Sequence, residues 1–244
     1  MQVAKTVLAA STALTWGALC IGAAHAATLI PFSNSKTAEP PTPWHVVGLP
    51  ERYAKPLTQF DVIEMDGVRV LRVRADKSYA NLVHAFQGSV ASIEFRWRLD
   101  VGLDKANLSV KSAEDAPLKV CLSFDMPASH IPLSERTLFR FAQFFSPDKL
   151  PTATLCYAWD QRLPIERELA SPYTGRVRYL VLDNGHSPLK TWLPHTRNVA
   201  TDFKRAFGTE IDTVPAVTAI IVSADADNTQ GVSLGYISDI LIKP

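Results

Sequence analysis

The chain has 244 residues, with 25 lysines and arginines against 24 aspartates and glutamates, and three cysteines. So balanced a charge gives no general pull toward nucleic acid or anionic lipid. The length suffices for one sizeable core, and beyond the N-terminus no apolar run is long enough for a membrane-spanning helix.

Met1 to Ala26 reads as an export signal: Lys5 supplies the positive start, Val7 to Ile21 the apolar stretch, and Ala24-His25-Ala26 the small-x-small cleavage site. A membrane anchor fits less well, because the apolar run is short and broken by Ser11, Thr12 and Thr15. Cys20 follows Leu19, where lipoprotein processing wants a small residue. Cleavage after Ala26 takes one cation from the 25 and places the mature chain in the periplasm or outside the cell. Residues 27–43 then read as a flexible linker, since Ser33 to Pro43 is polar and proline-rich. One domain is expected over 44–244.

Strand patterns dominate that domain. Asp66-Gly67 marks a turn, and Val68 to Ala75 follows as a strand. Ile93, Phe95, Trp97, Leu99 and Val101 alternate with charged residues, which is the period of a half-buried strand. Leu118, Val120, Leu122, Phe124 and Met126 repeat the pattern against Lys119, Cys121, Ser123 and Asp125. Leu155, Tyr157 and Trp159 repeat it against Thr154, Cys156 and Asp160. Arg176 to Asp183 is a further strand, closed by Asn184-Gly185.

Two helices interrupt the series. Ser134 can cap the first, with Leu133 and Leu138 as a staple and Leu138, Phe141, Ala142 and Phe145 as its stripe. Asn198 can cap the second, which buries Val199, Phe203 and Phe207 and ends at Gly208. Near the C-terminus, Val217 to Val222 reads as a strand buried on both faces. An acidic turn, Asp225 to Gly231, joins it to a last strand with Val232, Leu234, Tyr236, Ile240 and Ile242 on one face. Two short helices among many strands predict an all-β, antiparallel β-sandwich, not alternating βαβ units.

Cys121 and Cys156 are the two cysteines left after signal removal, each on the face opposite its strand's apolar set. Adjacent antiparallel strands would present them to each other for a disulfide. Two buried thiols are the other outcome.

Phe95-Arg96-Trp97-Arg98, Tyr157-Ala158-Trp159, Arg197-Asn198-Val199 with Asp202, Phe207-Gly208 and Asp225-Ala226-Asp227-Asn228-Thr229 occur in an order that resembles the bacterial exported family known as domain of unknown function 3047. The likeness runs from about Trp44 to the end. It implies a jelly-roll-like sandwich, similar to galactose-binding and carbohydrate-binding modules, and brings no established activity. The chain departs from the family pattern at Glu114-Asp115, where paired aspartates are expected, and at His195, in place of an acidic residue.

Several groups could carry chemistry. Gly231-Val232-Ser233-Leu234-Gly235 matches G-x-S-x-G, but a strand follows instead of a helix and no histidine lies beyond Ser233. Asp225, Asp227, Asn228 and Thr229 place several oxygens in one turn, where they can grip sugar hydroxyls, hold calcium with Asp239, or simply make turn hydrogen bonds. Arg197, beside Asn198, can pair with Asp225 or Asp227 to form one polar corner. The histidines show no zinc spacing, and no other cofactor is indicated. Trp44 and Trp192 lie in irregular stretches suited to sugar stacking, whereas Trp97 and Trp159 belong to the core.

Three functions fit. The first is a non-catalytic module for a glycan or cell-envelope component, with Asp115, Arg197, Asn198, Asp225, Asp227 and Asn228 as ligand contacts. The second is a glycan-active enzyme using two carboxylates among Asp115, Asp125, Asp160 and Asp225. The third is a structural or partner-binding envelope protein. None calls for nucleic acid or for a membrane span in the mature chain.

Overall fold

The computed structural model describes residues 29–144 and 150–244, so the expected export signal lies outside the described residues. The chain forms β1 (His45–Val47), β2 (Gln59–Met65), β3 (Val68–Asp76), β4 (Tyr79–Gly88), β5 (Ser92–Val101) and β6 (Lys119–Phe124) before helix α1 (Leu133–Phe144). Then come β7 (Ala153–Asp160), β8 (Glu168–Ala170), β9 (Val177–Asn184), β10 (Leu193–Asn198), helix α2 (Val199–Phe207), β11 (Val217–Asp225), β12 (Val232–Ile237) and β13 (Leu241–Lys243).

These strands build an all-β sandwich. The larger sheet has the order β1-β4-β11-β6-β7-β9-β8; the smaller has β10-β5-β12-β3-β2, with β13 beside β5. Pairing among the described strands is antiparallel except between β7 and β9, which run parallel. The core lies where alternation puts it. Ile93, Phe95, Trp97 and Leu99 of β5 share one cluster with Val120, Leu122 and Phe124 of β6 and Leu155, Tyr157 and Trp159 of β7. Burying each large side chain stabilises the fold by about 1.5–3 kcal/mol before entropy is set against it.

Local signals account for the connections. Asp66 and Gly67 take φ values of 54° and 75°, the left-handed pair that a two-residue hairpin turn needs between β2 and β3. The Asn198 side chain accepts from Thr201 N at 2.8 Å and caps α2, whose Val199, Phe203 and Phe207 are completely buried. Gly208 ends that helix in a right-handed conformation. Helix α1 starts at Leu133, so Ser134 sits inside it, and the Pro132 carbonyl accepts from Glu135 and Arg136 instead. Leu133 is 77 % exposed. The side chains of Leu138, Phe141, Ala142 and Phe145, expected as the α1 stripe, lie outside the described residues.

Three expectations are corrected. First, β11 and β12 belong to opposite sheets, and the acidic turn carries the chain across the sandwich. The start of β12 also departs from the expected face: Ser233 and Gly235 are buried, while Val232 is exposed and Leu234 only half-buried, although Tyr236 and Ile240 are buried as expected. Leu118 fills the space inside, so that a Cβ on Gly235 would stand 3.1 Å from its side chain. Second, β6 and β7 are buried on both faces. Leu108, Ala116 and Leu163, from the loops beside them, form a smaller cluster with Cys121, Cys156, Ala158 and Tyr179 on the outer side. Cys121 and Cys156 stand directly opposite in register, with Cα atoms 4.0 Å apart, and form a disulfide.

Third, the segment expected as a linker is packed down. Leu29 and Phe32 are buried, the Phe32 ring lies 4.8 Å from Trp44, and Ser33 donates to both oxygens of Asp239 at 2.9 and 2.5 Å. Among the described residues no helix is long and apolar enough to cross a membrane.

Candidate functional site

Asp225 ends β11 on the outer side of the larger sheet, opposite Tyr79 of β4. Its carboxylate accepts from Ala116 N and from Lys119 Nζ, both at 2.7 Å, and both side chains of the ion pair are 8 % exposed. Burial pushes the Asp225 carboxyl up to about 6, against the pull of Lys119. Burial works against the charge of Lys119 as well, but Asp225 overrides it and holds the ammonium above its usual range.

The acidic turn is clamped to the segment before β6. Asp115 accepts from Asn228 N at 3.2 Å and from Thr229 N and Oγ1 at 2.6 Å each, while Asn228 Nδ2 donates to the Glu114 carbonyl at 3.0 Å. Asp227 pairs with Lys55 at 3.2 Å. Asp115, Asp225 and Asn228 therefore come together beside the start of β6, with Asp227 next to them on Lys55.

Tyrosines complete the site. Tyr179 of β9 donates to Glu114 Oε1 at 2.7 Å, and Asn81 Nδ2 donates to the Tyr79 hydroxyl at 3.1 Å. Tyr173, 49 % exposed, stands at the rim, donating to Lys111 O at 3.0 Å and to Asn228 Oδ1 at 3.4 Å. Burial raises all three phenols, and the Glu114 charge raises Tyr173 and Tyr179 further, so they are neutral hydrogen-bonding groups at pH 7.

The result is a largely buried polar cluster, a basin rimmed by Tyr173, with bonding capacity left over. The Lys119 ammonium has three N–H groups and one partner, Glu114 Oε2 has none, and the Tyr79 hydroxyl accepts but does not donate, counting the described residues. These groups can donate to and accept from the hydroxyls of one ligand. The carboxylates beneath them are engaged: Asp225 with Lys119 and Ala116, Asp115 with the turn.

Arg197 and Asn198 do not join this basin. Arg197 lies opposite Ile93 and Leu234 opposite Val101, so the arginine and the acidic turn are separated by eight residues of β5, about 26 Å. Arg197 instead makes bonds of 2.9 and 2.8 Å to Asp202 and of 2.7 Å to Glu166. Tyr157 adds its hydroxyl to Asp202 at 3.0 Å. The bonds Arg197 donates to Asp202 hold the guanidinium above its usual range, and burial raises Tyr157. Tyr157, Arg197 and Asp202 thus tie β7, β10 and α2 together. His195, two residues before Arg197, bonds Asp183 at 2.8 Å, and Trp97 Nε1 bonds the same oxygen at 2.7 Å.

Asp239 lies beyond the far end of β12, about 20 Å from the acidic turn, and is occupied by Ser33. Asp225, Asp227 and Asp239 do not converge on one point, as a calcium ion with six to eight oxygens needs, and the first two already hold lysines. Among the described residues no group of three or more His, Cys, Asp or Glu is set to hold a metal ion. Asp160 accepts from Leu108, Arg162 and Leu163 N at 2.8, 2.6 and 2.6 Å and braces their loops. Ser233 is fully buried and donates to Pro117 O. Trp44 is buried, with its indole N–H on Ile30 O, and so offers no stacking surface; Trp192 is half-buried beneath Arg96, beside the smaller sheet.

Lys55, Tyr79, Lys119, Tyr173 and Tyr179 were not legible as site residues. Lys119 fell on a face read as solvent-exposed, and the tyrosines come from strands and loops distant in sequence.

Among comparisons with known proteins, the profile of one family, described as "Protein of unknown function (DUF3047)", matches residues 42–241. No curated protein matches the chain in sequence. Similar solved structures include TmCBM61 in complex with beta-1,4-galactotriose, at 11% identity and TM-score 0.34 over 83% of this chain and 88% of that one. Another is endoglucanase 3 of Trichoderma harzianum, from family GH12, at 8% identity and TM-score 0.40 over 84% and 99%. A third is the cellulose induced protein Cip1, at 11% identity and TM-score 0.32 over 82% and 90%.

Proposed function

The chain belongs to the family of proteins of unknown function DUF3047, and from that premise we propose that it is a non-catalytic module whose polar basin binds a glycan or glycan-bearing envelope component. The observation that carries this reading is the unused capacity of Lys119, Glu114 and Tyr79, gathered behind the exposed ring of Tyr173. Sugars offer hydroxyls that donate and accept at once, together with apolar faces that stack on aromatic rings, and the basin has partners for both. The engagement of Asp225 with Lys119 and of Asp115 with the turn speaks for binding over turnover, because glycosidic hydrolysis needs one carboxyl to give a proton and another to act as base or nucleophile across an open gap. The Cys121–Cys156 disulfide suits an oxidising compartment, and we place the mature protein in the periplasm or outside the cell.

Glycan-array binding with product analysis tests the reading. The expected result is retention of a defined glycan, no released sugar, and a loss of affinity of at least about tenfold in Tyr173→Ala, equivalent to about 1.4 kcal/mol. Release of sugar, or unchanged affinity in Tyr173→Ala, would contradict it.

A further inference from the structure

The charges of the basin are not matched. Lys119 is paired with Asp225, Lys55 with Asp227, and Asp115 is held by the backbone N–H groups of Asn228 and Thr229. Glu114 is 93 % buried by its 7 % exposure, yet among the described residues no cation lies within ion-pair distance of it. One oxygen takes the Tyr179 hydroxyl, which is a neutral donor; the other is unused. Lys111, the remaining cation, stands 4.8 Å over the Tyr173 ring rather than beside a carboxylate. Glu114 is therefore a largely buried carboxylate whose free oxygen has no cation at bonding distance, Lys119 acting on it only as a more distant charge, and a cationic partner would complete it.

We propose that the ligand of the basin carries a protonated amine, as in a glycan with free amino sugars, and that Glu114 Oε2 is its counter-ion. This rests on the carbohydrate reading above and narrows it. The ammonium would take the free oxygen of Glu114, and the exposed Tyr173 ring, which already attracts Lys111, would face the same cation or the adjoining sugar ring. Lys119 and Tyr79 would hold neighbouring hydroxyls. A fully N-acetylated glycan presents a neutral amide in place of the ammonium and leaves Glu114 unpaired.

Titration calorimetry at pH 6 with three hexasaccharides decides it: glucosamine, N-acetylglucosamine and glucose oligomers of equal length. In the wild type the glucosamine oligomer should bind at least tenfold more tightly than either neutral one, with the preference shrinking as salt is raised. Glu114→Gln keeps the shape and the acceptor for Tyr179, and it should abolish the preference by bringing the affinity for the glucosamine oligomer down to that for the neutral ones. Equal or tighter binding of a neutral oligomer by the wild type, or a preference that survives Glu114→Gln, would overturn the assignment of Glu114. Neutral oligomers bound and lost in Tyr173→Ala would still support the carbohydrate reading. Binding of none of the three would end both.

Discussion

Lys119 and Arg197 are each tied to a carboxylate with little access to water, and both should be costly to remove. Arg197→Ala leaves Asp202, whose side chain is 5 % exposed, without its cation. A loss of about 3–5 kcal/mol is expected in denaturant unfolding. A loss below about 1 kcal/mol would show that the tie between β7, β10 and α2 is dispensable. Lys119→Met should cost a similar amount at pH 7 and less at pH 4, where Asp225 is protonated. The sign follows from Asp225 itself. Its folded-state value of about 6 lies above the ordinary 3.8, so the native protein binds this proton more tightly than the unfolded chain. The stability this confers is complete below about pH 4 and lost as pH rises through about 6, up to about 3 kcal/mol. Relative to Asp225→Asn, the wild type should therefore lose ground between pH 4 and 7, and the opposite trend would contradict the assignment. Asn198 as a cap and Asp225 as a turn residue were legible because their roles are local. The partners of Arg197 were misread, since Asp202 and Glu166 are brought to it by the helix and by a distant loop, not by any spacing in the chain.

At the level of elements, β5, β6 and β7 were readable because their sequences alternate, and β9 as an apolar run closed by Asn184-Gly185. β4 was not, because its inward positions include His84 and Ala80 as well as Leu82 and Phe86. β10 carries Pro194, His195, Thr196, Arg197 and Asn198, a polar edge strand whose inward face meets other polar groups. β12 turns Val232 and Leu234 away from the core, while Tyr236 is buried between Arg72 and Arg98, its register partners. The segment before β1 illustrates the limit of composition. Its prolines and serines read as a tether, yet Phe32 reaches the core, and Phe32→Ala should cost about 3–5 kcal/mol in chemical denaturation. A neutral result would return this segment to the role of linker. The disulfide joins residues 35 apart, and its loss in Cys121→Ala/Cys156→Ala should lower stability by about 4 kcal/mol in the chain-entropy description. Unchanged stability would mean the strand pairing alone holds the two segments.

The whole molecule is a sandwich with different business at its two ends. Around α2, the Arg197 network locks the sheets together. At the other end, the acidic turn crosses between them, Lys119, Tyr79 and Tyr179 project from strands of the larger sheet, and loops add Glu114 and Tyr173 to the same basin. Class of fold could be argued from patterns that repeat along the chain; the basin could not, because its residues meet only once the sheets have formed. The most direct test of the basin as a glycan site is to follow backbone and side-chain NMR signals while an oligosaccharide retained on the array is titrated in. Shifts should concentrate on Tyr79, Asn81, Glu114, Tyr173, Tyr179 and Asn228. Shifts confined instead to Trp192, Tyr236 and the outer face of the smaller sheet would contradict the account.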